Sequence, residues 1–424
     1  MSHSMQEAVM QSPRAKDFFL ARQPILNRDQ GLVAYELLFR RADTSTAGVI
    51  DDLSATAAVI SHAAELGIEN VIGDSLGFVN IDSTVLMSDF VGILPAKYVV
   101  LEILETVEVT DAVVARVAEL KDAGYSFALD DVIGETAGME RLLPYVDIIK
   151  VDLMGMSDSE LISLSKRFRA FNKKLLAEKV ETVEQFNLCL ELGFEFFQGY
   201  YFAKPVVLTG KKLSPSQLAL LRVMGMINSD SENVDIERAI KQDAALGLNL
   251  LKMVNSPAFC STQRIGTVGQ ALILMGRRQL QRWLQILLYT DAYTKPGVKS
   301  PLLVLATTRG KLLELLAQKL KQGSRGISEV AFTVGIMSLM DTLFGMPMPK
   351  ILEQMPVNEN VACALLDRSG WLGELLNFAE QLERADSGML ALLSELEAFA
   401  LSIDDLREIQ MQAFEWSDQV VRET

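Results

Sequence analysis

The chain of 424 residues carries 55 acidic against 40 basic side chains, a net charge of −15 and an isoelectric point near 4.8. That balance argues against electrostatic binding to a nucleic-acid polymer, which needs a basic surface. The length exceeds a single hydrophobic core and predicts two domains with a tail. Residues 1–205 hold −13 of the charge and residues 206–424 hold −2, so the acid sits in the first half.

Taken in chain order, residues 22–28 and 32–40 read as two strands around the turn Asn27-Arg28-Asp29-Gln30-Gly31, an antiparallel hairpin. Residues 51–66 have a helical stripe of Leu53, Ala57, Ile60 and Ala64, closed by Gly67. Strands then fall near 77–81, 98–102, 125–130, 147–151, 174–178 and 195–199. Helical patterns lie near 83–92, 110–123, 137–143, 157–171 and 182–192, with Thr110 and Thr182 at N-cap positions and Gly124 and Gly193 at C-caps. Eight strands, mostly parallel and separated by helices, predict a closed barrel or a doubly wound sheet.

Beyond about residue 206 the strand signals vanish. Helical stripes such as Ile236, Ile240, Ala244, Leu248, Leu251 and later Trp283, Ile286, Leu287 predict an all-α domain, with prolines at the joints. The most apolar stretch, residues 330–349, contains Asp341 and lacks basic flanks, so a buried helix is expected rather than a membrane span. Three cysteines without metal-ligand spacing, Cys189, Cys260 and Cys363, and an N-terminus without an apolar core segment predict a cytoplasmic protein.

Polar residues close the apolar runs in series: Glu36 after VAY, Asn80 after GFV, Glu102 after YVVL, and Asp130-Asp131 after SFAL. Lys150 follows VDII, Glu178 follows KLLA and Gln198 follows EFF. Strand-end polar groups are how a (β/α) barrel gathers one site from many loops. Oxygen donors of this kind suit Mg²⁺ or Mn²⁺ and the two-cation hydrolysis of phosphoesters. His3 and His62 are the only histidines and neither follows a strand, so an imidazole site is excluded. Singly, Glu102, Asp130 and Lys150 can equally form a structural ion-pair network at a barrel rim.

These residues resemble the EAL domains, Mg²⁺- or Mn²⁺-dependent phosphodiesterases that open cyclic di-GMP to its linear form. The resemblance rests on QPIL at 23–26, YELLFR at 35–40, FVNID at 78–82, LEILET at 101–106, ALDD at 128–131, IIKVD at 148–152, AEKVET at 177–182 and QGYYFAKP at 198–205. It implies a TIM-like (β/α)8 barrel with an antiparallel first strand over residues 18–205. It also implies Glu36, Asn80, Glu102, Asp130, Asp131 and Glu181 as metal ligands or their supports, and Lys150, Glu178 and Gln198 as catalytic residues. Arg40 and Gln23 would bind substrate, Arg40 through a phosphate.

The sequence departs from the family at Leu37 in the signature, at Lys179 where the family has glycine, and at Val132-Ile133-Gly134-Glu135, which replaces a glycine-rich loop tied to the metal site and the homodimer contact. DAALGLNLLKMVNSPAF at 243–259 with QALILMG at 270–276 resembles the HDOD domain, a helical relative of the HD phosphohydrolases. That domain is expected over 206–400, followed by a helical tail over 401–424. Ser338-Leu339 stand where catalytic relatives carry a His-Asp doublet. No histidine follows His62, so no His-rich metal site is expected there and the domain reads as a module for a protein partner. Two functions stay open: a cyclic di-GMP signalling protein whose degenerate EAL domain binds nucleotide or partner, towards which Lys179 and the altered loop lean, or an active phosphodiesterase controlled by the helical domain.

Overall fold

The computed structural model describes residues 18–41, 67–132, 137–199, 215–255, 264–290, 299–355, 357–383 and 389–423. The expected helix at 51–66, the joint at 203–213 and residues 133–135 of the altered loop lie outside the described residues. The described chain forms two compact units: the N-terminal barrel together with Phe378–Gln419, and the helices between them with the residues after Gln419.

The barrel is closed in the order β1 to β8. Its strands are β1 Phe18–Asn27, β2 Leu32–Arg41, β3 Leu76–Ile81, β4 Val99–Ile103, β5 Ser126–Leu129, β6 Ile148–Asp152, β7 Lys174–Glu178 and β8 Phe196–Phe197. The opening hairpin turns because Asn27 Oδ1 accepts the backbone N–H groups of Asp29 and Gly31, both at 2.9 Å. β1 runs antiparallel to both β2 and β8, while every pair from β2 to β8 is parallel.

Six helices are described in the crossovers: α1 Ile68–Ile72, α2 Ser83–Leu86, α3 Asp111–Asp122, α4 Ala137–Leu142, α5 Asp158–Ala170 and α6 Val183–Glu191. Thr110 caps α3, and full capping boxes start α5 (Ser157, Glu160) and α6 (Thr182, Gln185). The expected single helix at 83–92 is instead α2 followed by a separate 3₁₀ turn over Asp89–Ile93. Ser88 breaks the run by capping the second turn with its own side chain.

Inside the barrel one apolar layer consists of Ile25, Ala34, Phe78, Val100, Ala128, Ile148 and Leu176, with Phe196 packed against it. Side chains alternate along a strand with period two, so the next inward residue towards the carboxyl ends lies two positions on. Those residues are Glu36, Asn80, Glu102, Asp130, Lys150, Glu178 and Gln198. For the antiparallel β1 the step runs backwards, from Ile25 to Gln23, which is paired with Glu36. One layer is apolar and the layer above it is the polar mouth.

The remaining helices are α7 Pro215–Asn228, α8 Asn233–Lys241, α9 Ala244–Val254, α10 Val268–Thr290, α11 Pro301–Leu320, α12 Arg325–Met337, α13 Met340–Phe344, α14 Met348–Gln354, α15 Glu359–Asp367, α16 Gly370–Glu383, α17 Met389–Ala398 and α18 Ile403–Glu423. No strand follows β8 among the described residues. The stripe expected from Ile236 to Leu251 is split in two, because Asp243 caps α9 through Leu246 N–H at 3.0 Å.

α11 and α12 approach backbone to backbone. A Cβ on Gly335 would lie 2.7 Å from the Arg309 carbonyl oxygen, so no larger residue fits without separating the helices. The segment Gly326–Phe344 has the length and composition of a membrane span, but most of it is buried in the helical unit, as a core helix would be.

α18 packs on the outer face of the opening hairpin. The Arg22 guanidinium lies over the rings of Tyr35, at 4.5 Å, and Phe414, at 3.8 Å. It also pairs with Asp418 at 3.8 Å and donates to the Val71 carbonyl at 2.7 Å. The end of the chain thereby covers the strands whose inner face carries Glu36 and Gln23.

Candidate active site at the barrel mouth

Lys150 is the centre of the mouth. It is buried to 1 % exposure, and its Nζ lies 2.8 Å from Glu102, 2.8 Å from Asp130, 2.9 Å from Glu178 and 3.4 Å from Glu36. Each partner comes from a different strand, so β6 presents one cation to carboxylates gathered from β2, β4, β7 and the exit of β5. Glu36 is held from two more sides: Gln198 Nε2 donates to it at 2.6 Å and Asn80 Nδ2 at 3.1 Å. Gln198 is itself fixed by the chain behind it. Val180 N–H donates to its carbonyl at 3.0 Å, and a Cβ on the following Gly199 would sit 2.3 Å from Val180 N, so only glycine passes there.

The electrostatics are unbalanced. Four carboxylates share one ammonium in a space almost closed to water, and burying charge there is costly unless it is fully paired. Desolvation raises Glu102 well above the ordinary carboxylate range, outweighing the attraction of Lys150. Glu178 is pushed up to about 8 for the same reason, and Asp130 is raised too. For Lys150, burial alone would lower the pKa. Glu102, Glu36, Glu178 and Asp130 more than reverse this and hold it well above the usual lysine value.

Four acceptors at the mouth, Asn80 Oδ1, Glu102 Oε2, Glu178 Oε2 and Gln198 Oε1, are buried without a hydrogen-bond donor. Asn80 has its amide nitrogen committed to Glu36, while its oxygen has no donor. Oxygen donors, excess negative charge and orphaned acceptors fit a hard divalent cation held by Glu36, Asn80, Glu102 and Asp130.

Of the residues singled out from sequence, Glu36, Asn80, Glu102, Asp130, Lys150, Glu178 and Gln198 converge in one hydrogen-bonded and ion-paired group. Gln23 stands beside Glu36 in register, and Arg40 lies on β2 opposite Phe19. Asp131 and Glu181 stand outside the Lys150 cluster. Asp131 turns out of the strand at φ 43°, and Glu181 is exposed at the entry to α6.

Glu105 was not expected from sequence. Its carboxylate, with those of Asp130 and Asp131, offers oxygens all within 4.8 Å of one another. It lies just past the end of β4, so strand-end counting alone does not select it.

In the helical unit, Ser338 is buried. It accepts from Arg309 Nη1 at 2.7 Å and donates to the Gly335 carbonyl at 2.6 Å, which ties α11 to α12. Asn255 ends α9 and grips the following loop, donating to the Leu251 carbonyl at 2.7 Å and the Ile265 carbonyl at 2.9 Å, and accepting Ile265 N–H at 2.8 Å.

A closed barrel with an antiparallel first strand and an acidic mouth, followed by an all-helical unit, is the architecture of an EAL barrel joined to an HDOD domain. The EAL domain family matches residues 6–205 and the HDOD domain family residues 214–355. The "Uncharacterized protein YuxH" of Bacillus subtilis (strain 168) is 31 % identical over 405 residues, spanning 94 % of this chain and 97 % of that protein. The "Cyclic di-GMP phosphodiesterase CdgJ" of Vibrio cholerae serotype O1 is 31 % identical over 410 residues, spanning 95 % and 93 %. The chain belongs to this EAL–HDOD family. Among solved structures, the EAL-domain protein YkuI of Bacillus subtilis, in complex with substrate c-di-GMP and calcium, aligns at 24 % identity and a TM-score of 0.39. That alignment spans 47 % of this chain and 57 % of that one.

Proposed function

We propose that this chain acts in cyclic di-GMP signalling and that its barrel is a divalent-metal-dependent phosphodiesterase-type site for that nucleotide. The observation that carries the reading is the convergence of Glu36, Asn80, Glu102 and Asp130 with orphaned acceptors around Lys150. A bound cation would draw charge from a phosphate oxygen and make an attacking water more acidic. The chain's own residues supply the rest. Glu178, with a pKa near 8, can exchange a proton at neutral pH. Lys150 fixes the carboxylates in place, and Gln198 and Asn80 hold Glu36 in one orientation. Incubating the full chain with cyclic di-GMP and Mg²⁺ or Mn²⁺, followed by product analysis, tests the reading. Linear product that disappears in Glu36→Gln supports it. Absence of both nucleotide binding and product overturns it.

A second reading, nucleotide binding without turnover, is favoured by Lys179 at the rim of the mouth, which pairs with Asp152. Tight binding of cyclic di-GMP with no product under either metal would select it. For the helical unit we infer a role in docking a protein partner. Leu248, Ile273 and Leu274, at 54, 81 and 45 % exposure, support this.

A further inference from the structure

The loop after β7 carries a lysine in a backbone conformation that suits glycine. Lys179 has φ 52°, in the left-handed region where a Cβ meets its own backbone. The turn reverses the chain directly after Glu178, which is paired in register with Asp152 of the neighbouring β6. The reversal brings the Lys179 ammonium back onto the Asp152 carboxylate. A strained lysine anchored on an aspartate is a fixed positive charge at the rim.

The acidic groups around it fall into two sets that share Asp130. The inner set, Glu36, Asn80, Glu102 and Asp130, is closed around Lys150 and contains the fully buried Glu102 with an orphaned oxygen. The outer set is Glu105, Asp130 and Asp131, with its carboxylate oxygens within 4.8 Å of one another. Asp131, like Lys179, has a left-handed backbone, at φ 43°. Asp152 ends β6, the strand between β7 and the exit of β5, where Val132 N–H donates to the Lys150 carbonyl, so the Lys179–Asp152 pair stands beside the turn that carries Asp131.

We infer that Lys179 is an internal counter-cation: anchored on Asp152, its ammonium balances the outer acidic set in place of a second divalent ion, so the mouth takes one metal ion rather than two. This deepens the metal-site reading proposed above and rests on it. An ammonium cannot be displaced without breaking the Asp152 pair. A doubly charged ion entering the outer set would also meet repulsion from the Lys179 ammonium. The inner set keeps its orphaned acceptors for the single ion. One cation can hold a phosphate but cannot clamp attacking and leaving oxygens together, which would make turnover slow.

The test is a Mn²⁺ titration of the full chain by calorimetry, with electron paramagnetic resonance to detect paired ions. Wild type is expected to take one Mn²⁺. Lys179→Gly relaxes the backbone and removes the charge, and should take a second ion on the order of ten- to a hundredfold more tightly than wild type does, with spin-coupled broadening. Lys179→Gln, which removes only the charge, should do the same, and Lys179→Arg should stay at one ion. Two ions of similar affinity in wild type, or one ion in wild type and both neutral variants, would overturn the role of Lys179 while leaving the metal site standing. No Mn²⁺ on any of the four proteins would remove the metal site itself and this inference with it.

Discussion

Replacing Lys150 by methionine keeps the length of the side chain and deletes the ammonium that pairs with Glu36, Glu102, Asp130 and Glu178. The group changes from four carboxylates on one cation to four carboxylates on none, in a layer where Lys150 and Glu102 are 1 % and 0 % exposed. Breaking a buried pair by removing one partner costs about 3–5 kcal/mol. For a domain of this size that lowers the melting temperature by roughly 6–20 °C. Part of the loss is recoverable by protonation, and this fixes a pH signature.

Glu178 stands near 8 against an ordinary 4.5, so its contribution to stability is present below about 4.5 and is lost as pH rises through about 8. Without Lys150 the carboxyls of Glu102, Asp130 and Glu178 rise further, and the deficit of the variant must grow between pH 5 and pH 8. Thermal denaturation of the metal-free protein at both pH values measures it. Adding Mn²⁺ should restore more stability to the variant than to wild type, since the ion supplies the missing charge. If Lys150→Met melts within about 2 °C of wild type at pH 8 without metal, the cluster does not depend on Lys150 and the reasoning fails.

Other perturbations separate the parts of the site. Glu178→Gln should reduce cyclic di-GMP turnover by about 10²–10⁴-fold while leaving Mn²⁺ affinity nearer to wild type than Glu36→Gln does, as read by single-turnover kinetics and calorimetry. Gly199→Ala places a Cβ 2.3 Å from Val180 N, so Gln198 must shift off Glu36. Weaker Mn²⁺ binding with little change in helical content is the expected result. Phe414→Ala removes the ring beneath Arg22 on the outside of the hairpin and should cost about 3–5 kcal/mol in chemical denaturation of the full chain. An unchanged midpoint would mean that α18 does not support the barrel. A chain cut after residue 206 loses all of Phe378–Gln419 from the barrel's unit and should be destabilised by more than Phe414→Ala.

The site was legible in sequence to the extent that it follows from local periodicity. Period-two alternation places Glu36, Asn80, Glu102, Asp130, Lys150, Glu178 and Gln198 one step beyond an apolar layer, whichever way the strands are later arranged. Thr110 and Thr182 likewise start their helices through side chains only three residues from the backbone they cap. The absence of histidine after His62 limits the helical unit's metal chemistry without any coordinates.

Tertiary structure decided what depends on closure and on chain reversal. Antiparallel pairing of β1 with β8 shuts the barrel and brings Lys150 against four carboxylates from separate strands, contacts that no local pattern encodes. Glu105 joins Asp130 and Asp131 because of where the β4 loop turns, not because of its spacing. Lys179 reads in sequence as a bulky cation beside Glu178. Only a backbone at φ 52° sends it back to Asp152. Arg22 meets Phe414 and Asp418 across almost the whole length of the chain, and an ion pair or ring contact at that separation is fixed by packing rather than by neighbours in sequence.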